Sequence, residues 1–219
     1  MIPFARMMKY GQVITDDIVL DINFSRQSVG DNSVTDFSAS PHIFQKLNAG
    51  AGSVVYDSTL DSNVMFFNGA VFSTPMVLDL QLSTKKFEID VMYKSTSSAI
   101  QVIYGTGYYP DVTNRVSGMC HQIGQYVGND QYFLDNGSTF QRNLLDQSDT
   151  SVWQRLVYTR LNGTTNIKRY RNSVLINSSS NYPEQTFANG TSFGIGGYYP
   201  TPGVSNFLGY MQYLRVKIL

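Results

Sequence analysis

Two short segments carry paired aromatic rings between a glycine and a proline: Gly107-Tyr108-Tyr109-Pro110 and Gly197-Tyr198-Tyr199-Pro200. Glycine and proline place both on loops. A tyrosine offers a flat apolar face and a hydroxyl, which suits stacking on a sugar ring or anchoring a protein interface. Tyr108, Tyr109, Tyr198 and Tyr199 are therefore the candidate ligand-binding residues. The competing use of the same rings is to pack over the end of the domain. Other chemistry-bearing side chains are few. His42 and His121 are the only histidines and Cys120 is the only cysteine. Cys120 and His121 are adjacent, so on a strand they point to opposite faces and form no nucleophile–base pair. Two histidines and one cysteine fall short of a zinc site. Cys120 reads as a small buried residue, His121 as a strand residue and His42 as part of a polar loop or rim. No glycine-rich loop precedes a helix, so no nucleotide cradle is present. No catalytic residue and no metal ligand is assigned.

Strands must position these groups. The 219 residues include seven Ala and two Glu, whereas Tyr, Phe, Val, Ile, Thr, Ser, Asn and Gly abound. Helix formers are scarce, and strand and turn formers are plentiful. Sixteen basic and sixteen acidic residues give a net charge of zero. Without a basic stripe, binding to nucleic acid through phosphate neutralisation is not expected. No apolar run approaches a membrane span, the N-terminal residues lack the apolar core of a signal peptide, and one cysteine rules out an internal disulfide framework.

Residues 1–16 are weakly patterned and are expected to form an N-terminal arm; residues 17–219 are expected to form one sandwich. Asp17 to Phe24 reads as its first strand and Ser25 to Ser40 as a long loop. Val64 to Phe67, the Asn68-Gly69 turn and Ala70 to Phe72 predict a hairpin, and Met76 to Leu82 a further strand. In Phe87-Glu88-Ile89-Asp90-Val91-Met92-Tyr93, the four large apolar residues share one face. Glu88, Asp90 and Met92 share the other, which reads as solvated. Ile100 to Tyr104, Val116 to Tyr126 and Gln131 to Leu134 follow. Trp153 to Arg160 then leads through a turn at Leu161 to Thr164 into Asn166 to Ile176. Trp153 is read as core; Arg169 and Arg171 are read as facing solvent or a partner. About twelve short strands with Gly, Asn, Ser and Asp punctuation predict two stacked antiparallel sheets.

The order of these pieces resembles the concanavalin A-like (laminin G-like) β-sandwich family. The pieces are Asp17 to Phe24, Phe66 to Gly69, Phe87 to Tyr93, Trp153 to Arg160, Ile167 to Ile176, Gly194 to Gly197 and Leu208 to Val216. The resemblance implies an all-β concanavalin A-like jelly-roll sandwich. Asn172-Ser173 stands where the family has Asp-Gly, which predicts a different turn type. Gln212-Tyr213 replaces an acidic pair. The segment from Glu88 resembles the start of the Glu-x-Asp-x-x-Glu strand of laminarinase-type hydrolases, in which carboxylates work as nucleophile and general acid. Here Tyr93 stands at the third acid's position, and the other glutamate, Glu184, is far away in sequence. No enzyme activity is therefore expected. No cofactor is expected either; calcium is the one ion that loop acids in Asp57 to Asp61 and Asp146 to Asp149 could ligate, as in lectin-like relatives.

A sandwich without disulfide-forming cysteine pairs and rich in Asn, Ser, Gly and Tyr also resembles domains of bacteriophage virion proteins. That likeness implies a non-enzymatic virion structural or attachment protein, such as a capsid decoration, head fibre or tail component. Its partners would be other virion proteins and further copies of itself, and its location the virion. The alternative is a lectin-like module that binds cell-surface glycans through the loop tyrosines.

Overall fold

A computed structural model describes residues 17–107, 118–126, 129–135, 140–146, 150–161, 164–183, 187–197 and 206–219. Expectations for residues 1–16, Glu184 and the four loop tyrosines fall outside this set. So do those for the tip of the predicted turn at Leu161 to Thr164 and the centre of the Asp146 to Asp149 cluster.

The strands are β1 (Asp17–Asn23), β2 (Gln45–Lys46), β3 (Ala51–Asp57), β4 (Ser62–Asn68), β5 (Phe72–Pro75), β6 (Phe87–Ser95), β7 (Gln101–Gly105) and β8 (Gly118–Tyr126). They continue with β9 (Asn129–Asp135), β10 (Phe140–Asp146), β11 (Gln154–Leu161), β12 (Thr164–Arg171), β13 (Val174–Pro183), β14 (Ser192–Ile195) and β15 (Leu208–Ile218). No α-helix occurs among the described residues. The larger sheet has eight strands in the order β13-β12-β11-β6-β15-β4-β3, with β1 paired beside the second half of β15. The smaller has seven, in the order β10-β9-β8-β7-β14-β5-β2. Strand neighbours are antiparallel throughout. This is the expected all-β, two-sheet sandwich.

Period-2 patterning drives the layers together. Phe87, Ile89, Val91 and Tyr93 of β6 are fully buried, as the alternation predicts, with Leu156 and Tyr158 of β11 and Leu214 and Val216 of β15 beside them. The smaller sheet answers with Ile103, Tyr104, Met119, Ile123, Phe193 and Ile195. Each such side chain contributes roughly 1.5–3 kcal/mol through burial. Aromatic rings interlock at the centre. Phe67 meets Phe24, Phe72 and Phe207 at centroid distances of 6.3, 6.1 and 5.6 Å.

Several expectations are corrected. Asn68-Gly69 does not turn a hairpin but carries the chain from the larger sheet to the smaller, since β4 and β5 lie in different sheets. The Gly69 backbone is already engaged: its N–H donates to the Phe207 carbonyl at 3.2 Å, and its carbonyl accepts from Asn48 Nδ2 at 2.7 Å and Asn206 Nδ2 at 3.0 Å. β4 pairs instead with β3 and β15; β3, like β2 and β10, has no counterpart among the predicted strands. Met76 to Leu82 is no strand. Two 3-10 turns, Leu78–Leu80 and Leu82–Thr84, drop Leu80 and Leu82 into the core while satisfying their backbone locally. The same apolar alternation serves either geometry.

The Asn172-Ser173 turn also differs from expectation. It joins β12 to β13 as a two-residue hairpin loop with φ of +47° and +66°. Two positive φ values are those of the primed turn that Asp-Gly and Asn-Gly favour. Ser173 occupies the position where glycine is least strained. Ser173→Gly is expected to raise stability by roughly 0.5–1 kcal/mol, a gain in Tm of about 1–4 °C in a circular-dichroism melt.

Candidate functional site

The outward residues of β6, Glu88, Asp90 and Met92, lie at the middle of the larger sheet. Register builds three rows across it. Tyr170, Arg155, Met92 and Tyr213 form one; Lys168, Val157, Asp90, Arg215 and Asp21 the next; Asn166, Thr159, Glu88 and Lys217 the third. A bulge at Gln212 of β15 keeps this face continuous: Met211 pairs with Tyr93, Tyr213 pairs with Met92, and Gln212 is left over. The extra residue shifts the phase of the strand. Tyr213, Arg215 and Lys217 thereby join the outer face while Leu214 and Val216 stay buried.

Asp90 is the hub. Arg155 grips it in bidentate fashion, Nε to Oδ1 at 2.9 Å and Nη2 to Oδ2 at 2.7 Å, and the Tyr213 hydroxyl donates to Oδ1 at 3.2 Å. Hydrogen bonding to Asp90 holds the Arg155 guanidinium still more firmly in its charged form. Burial, reinforced by the Asp90 charge, pushes the Tyr213 phenol up to about 12, so it remains a neutral donor. Beside this hub, Arg215 donates through Nε and Nη2 to Asp21 Oδ1, both at 3.0 Å. Arg155 also lies 5.5 Å from the Tyr170 ring centroid. A depression of about 350 Å³ is lined by Ile18, Glu88, Asp90, Arg155, Arg215 and Lys217. A smaller hollow of about 100 Å³ adjoins it over Met92, Arg155, Tyr170, Asn172 and Ser173.

This arrangement suits recognition better than acid–base work. A glycoside hydrolase needs one carboxyl free to give a proton and a second free to attack or to activate water. Asp90 is neutralised by Arg155 and bonded by Tyr213, and Met92 stands next along the face. The Glu88 and Asp90 side was expected to be merely solvated; Asp90 is instead 9% exposed beneath its ion pair. The rows nonetheless alternate acceptors (Glu88, Asp90, Asp21) with donors (Arg155, Arg215, Lys217). Sugar hydroxyls, which both donate and accept, match such a surface.

The other singled-out residues resolve as follows. The four loop tyrosines lie outside the described residues. The chains leading to them leave β7 at Gly107 and β14 at Gly197; these strands are antiparallel neighbours, so the two loops depart at opposite ends of the pair. Trp153 is buried, as expected, with Lys94 Nζ 4.9 Å from its ring. Arg169 overturns its reading: it is 1% exposed. It pairs with the inward-facing Leu156 across β11 and β12, so register carries it to the inner side. His121 is fully buried on the opposite sheet, edge-on to Tyr93 and Tyr104 at 5.6 and 5.7 Å. Burial, and then the Arg169 charge, pull its pKa down to about 3.

His42 is more enclosed than a rim residue. Its Nδ1 lies 2.7 Å from Asp36 Oδ2 and its Nε2 3.2 Å from Asp79 Oδ1. Burial raises the Asp36 carboxyl, but backbone N–H donors from Asp21, His42 and Ser38 more than offset this and hold it below the usual range. Asp57, read above as an oxygen ligand, accepts from the Thr59 and Leu60 backbone N–H groups and from Lys94 Nζ at 2.7 Å. Among the described residues no cluster of three or more His, Cys, Asp or Glu side chains is arranged to hold a metal ion. No helix among them is long and apolar enough to cross a membrane.

No protein-family model matches the chain, and no curated protein matches its sequence. Solved structures share its fold. Domain 4 of AbnA, a GH43 extracellular arabinanase from Geobacillus stearothermophilus solved with arabinotriose, aligns with a TM-score of 0.62 at 17% identity over 93% of both chains. A structure of botulinum neurotoxin type C, whose cell entry depends on interaction with two ganglioside molecules, aligns at 0.55 and 11%, covering 91% of this chain and 47% of that one. The binding domain of botulinum neurotoxin DC with rat synaptotagmin II aligns at 0.55 and 11%, over 91% and 48%. Identities this low establish a common β-sandwich fold and no more.

Proposed function

We propose that this chain is a non-catalytic, lectin-like recognition module that binds glycan on the outer face of its larger sheet. The observation that carries the reading is the Asp90–Arg155–Tyr213 hub. It spends the central carboxylate on positioning, and it fixes an array of alternating donors and acceptors on rigid strands above an open depression. The fold is shared with domains whose structures concern an arabino-oligosaccharide and gangliosides. Carriage on a virion, as a decoration, head fibre or tail component, is the finer form of this reading and rests on the sequence resemblance alone. The loop tyrosines are the second candidate surface.

A glycan array probed with the full chain, followed by calorimetry on the glycans retained, tests the proposal. Arg155→Ala is expected to weaken binding roughly 10- to 100-fold, the loss of one or two hydrogen bonds from a charged donor, with the far-UV spectrum unchanged. Unaltered affinity in Arg155→Ala combined with loss in Tyr108→Ala or Tyr198→Ala would move the site to the loops. Release of reducing ends that vanishes in Glu88→Gln would overturn the non-catalytic assignment.

A further inference from the structure

β1 bonds β15 on one side only. On the other, Ile22 bridges Asp36 and the Phe37 N–H donates to the Asp21 carbonyl at 2.8 Å. Over Asp17–Leu20, no described residue pairs with that edge. A groove of about 520 Å³ runs there, with Asp17, Asp21, Phe37 and Asp79 in its lining. A hollow of about 690 Å³ adjoins it across Ser40 and Asp79. Ile18 lines the groove and Val77 and Leu78 line the hollow, exposed by 39, 40 and 77%. Single exposed apolar side chains are ordinary, but three lining two adjoining hollows beside this strand edge mark an interaction surface. The groove lining holds three aspartates and neither Lys nor Arg. Asp21 is already paired with Arg215 and Arg26, which leaves Asp17 and Asp79 as the acids that face the two hollows. Lys85, beside the hollow, is turned back onto the Leu78 and Asp79 carbonyls at 2.7 and 2.9 Å.

An open strand edge, apolar hollows and negative charge together fit an extended polypeptide bearing apolar and basic side chains. Residues 1–16 of this sequence have that chemistry: Arg6 and Lys9 stand among largely apolar neighbours, and the one acid is Asp16. We propose that residues 1–16 of a second copy of the chain occupy this groove. The segment's own domain is the poorer host. The segment runs directly into Asp17, itself a groove residue, so lying along its own β1 would spend part of the segment on a reversal. A neighbouring copy supplies the segment with no reversal.

Light scattering on the full chain across a concentration series reads the assembly. The wild type is expected to be a dimer or larger. Arg6→Glu with Lys9→Glu, or Asp17→Lys with Asp79→Lys, is expected to weaken association roughly tenfold or more, because like charges then meet. Leu78→Ser with Val77→Ser, changes confined to exposed side chains of the hollow, should weaken it too. Mixing the segment-reversed chain with the groove-reversed chain restores association, since one keeps a native groove and the other a native segment. A wild type that stays monomeric at its highest soluble concentration overturns the proposal, as does assembly unaffected by all three variants or a mixture that stays dissociated.

Discussion

Acidification from pH 6.5 towards 3 is expected to remove roughly 1.4 kcal/mol of stability per pH unit through His121 alone, several kcal/mol in all. The ring is fully buried, and its folded-state pKa of about 3 lies below the ordinary value of 6.5. In this window the unfolded chain takes up a proton that the folded chain refuses. Protons therefore favour unfolding, and the contribution of neutral His121 is fully present above pH 6.5 and lost on the way down. The depressed carboxyls of Asp36 and Asp57 act in the same sense, but only below their ordinary value of 3.8. The two effects separate by pH. Urea midpoints measured for wild type and His121→Gln between pH 4 and 7 check this: the wild type should lose stability steeply while the variant stays nearly flat. Equal slopes would refute it.

Gly196→Ala is expected to cost about 2–4 kcal/mol and to lower Tm by roughly 5–15 °C. Gly196 has φ +75°, and a Cβ there would lie 2.4 Å from the Ala70 carbonyl oxygen and 2.6 Å from a carbon of the Phe67 ring. Neither neighbour can retreat. The Ala70 atom is backbone at the crossover between sheets, and Phe67 is wedged among three other rings. Gly30 is an internal control, with φ +96° and nothing within 4 Å of its added Cβ. Gly30→Ala should show only the conformational penalty, about 1 kcal/mol. A thermal melt in which the two substitutions cost the same would show that crowding at Gly196 is relieved by movement.

The need for glycine at Gly196 is not legible in the sequence, where its stretch stands out only by family resemblance, whereas the burial of Phe87, Ile89, Val91 and Tyr93 is. Local alternation suffices there, because a central strand has one face in the core. Arg169 shows how the same rule can be set aside: it stands opposite the buried Leu156, which is the inward phase, but its charge suggests solvent. Where the chain changes sheets was hidden, because Asn68-Gly69 has the composition of a hairpin turn and only the distant Asn48, Asn206 and Phe207 decide otherwise. Of the site, Glu88 and Asp90 were visible. The partners that define their role were not. Arg155 and Tyr213 reach Asp90 from 65 and 123 residues away, and the phase of Tyr213 depends on a bulge that no pattern announces.

The position of β15 has a kinetic consequence. It lies between β6 on one side and β4 and β1 on the other, and its Arg215 clasps an aspartate 194 residues earlier in the chain. Until residues 208–218 arrive, the large sheet is two fragments and the lone strand β1, with raw margins and nothing between them. Closing so long a loop adds little free energy, since that cost grows only logarithmically, but it delays the productive encounter. Folding should accordingly be slow for a chain of this size, and the unfinished margins should make refolding yield fall as protein concentration rises.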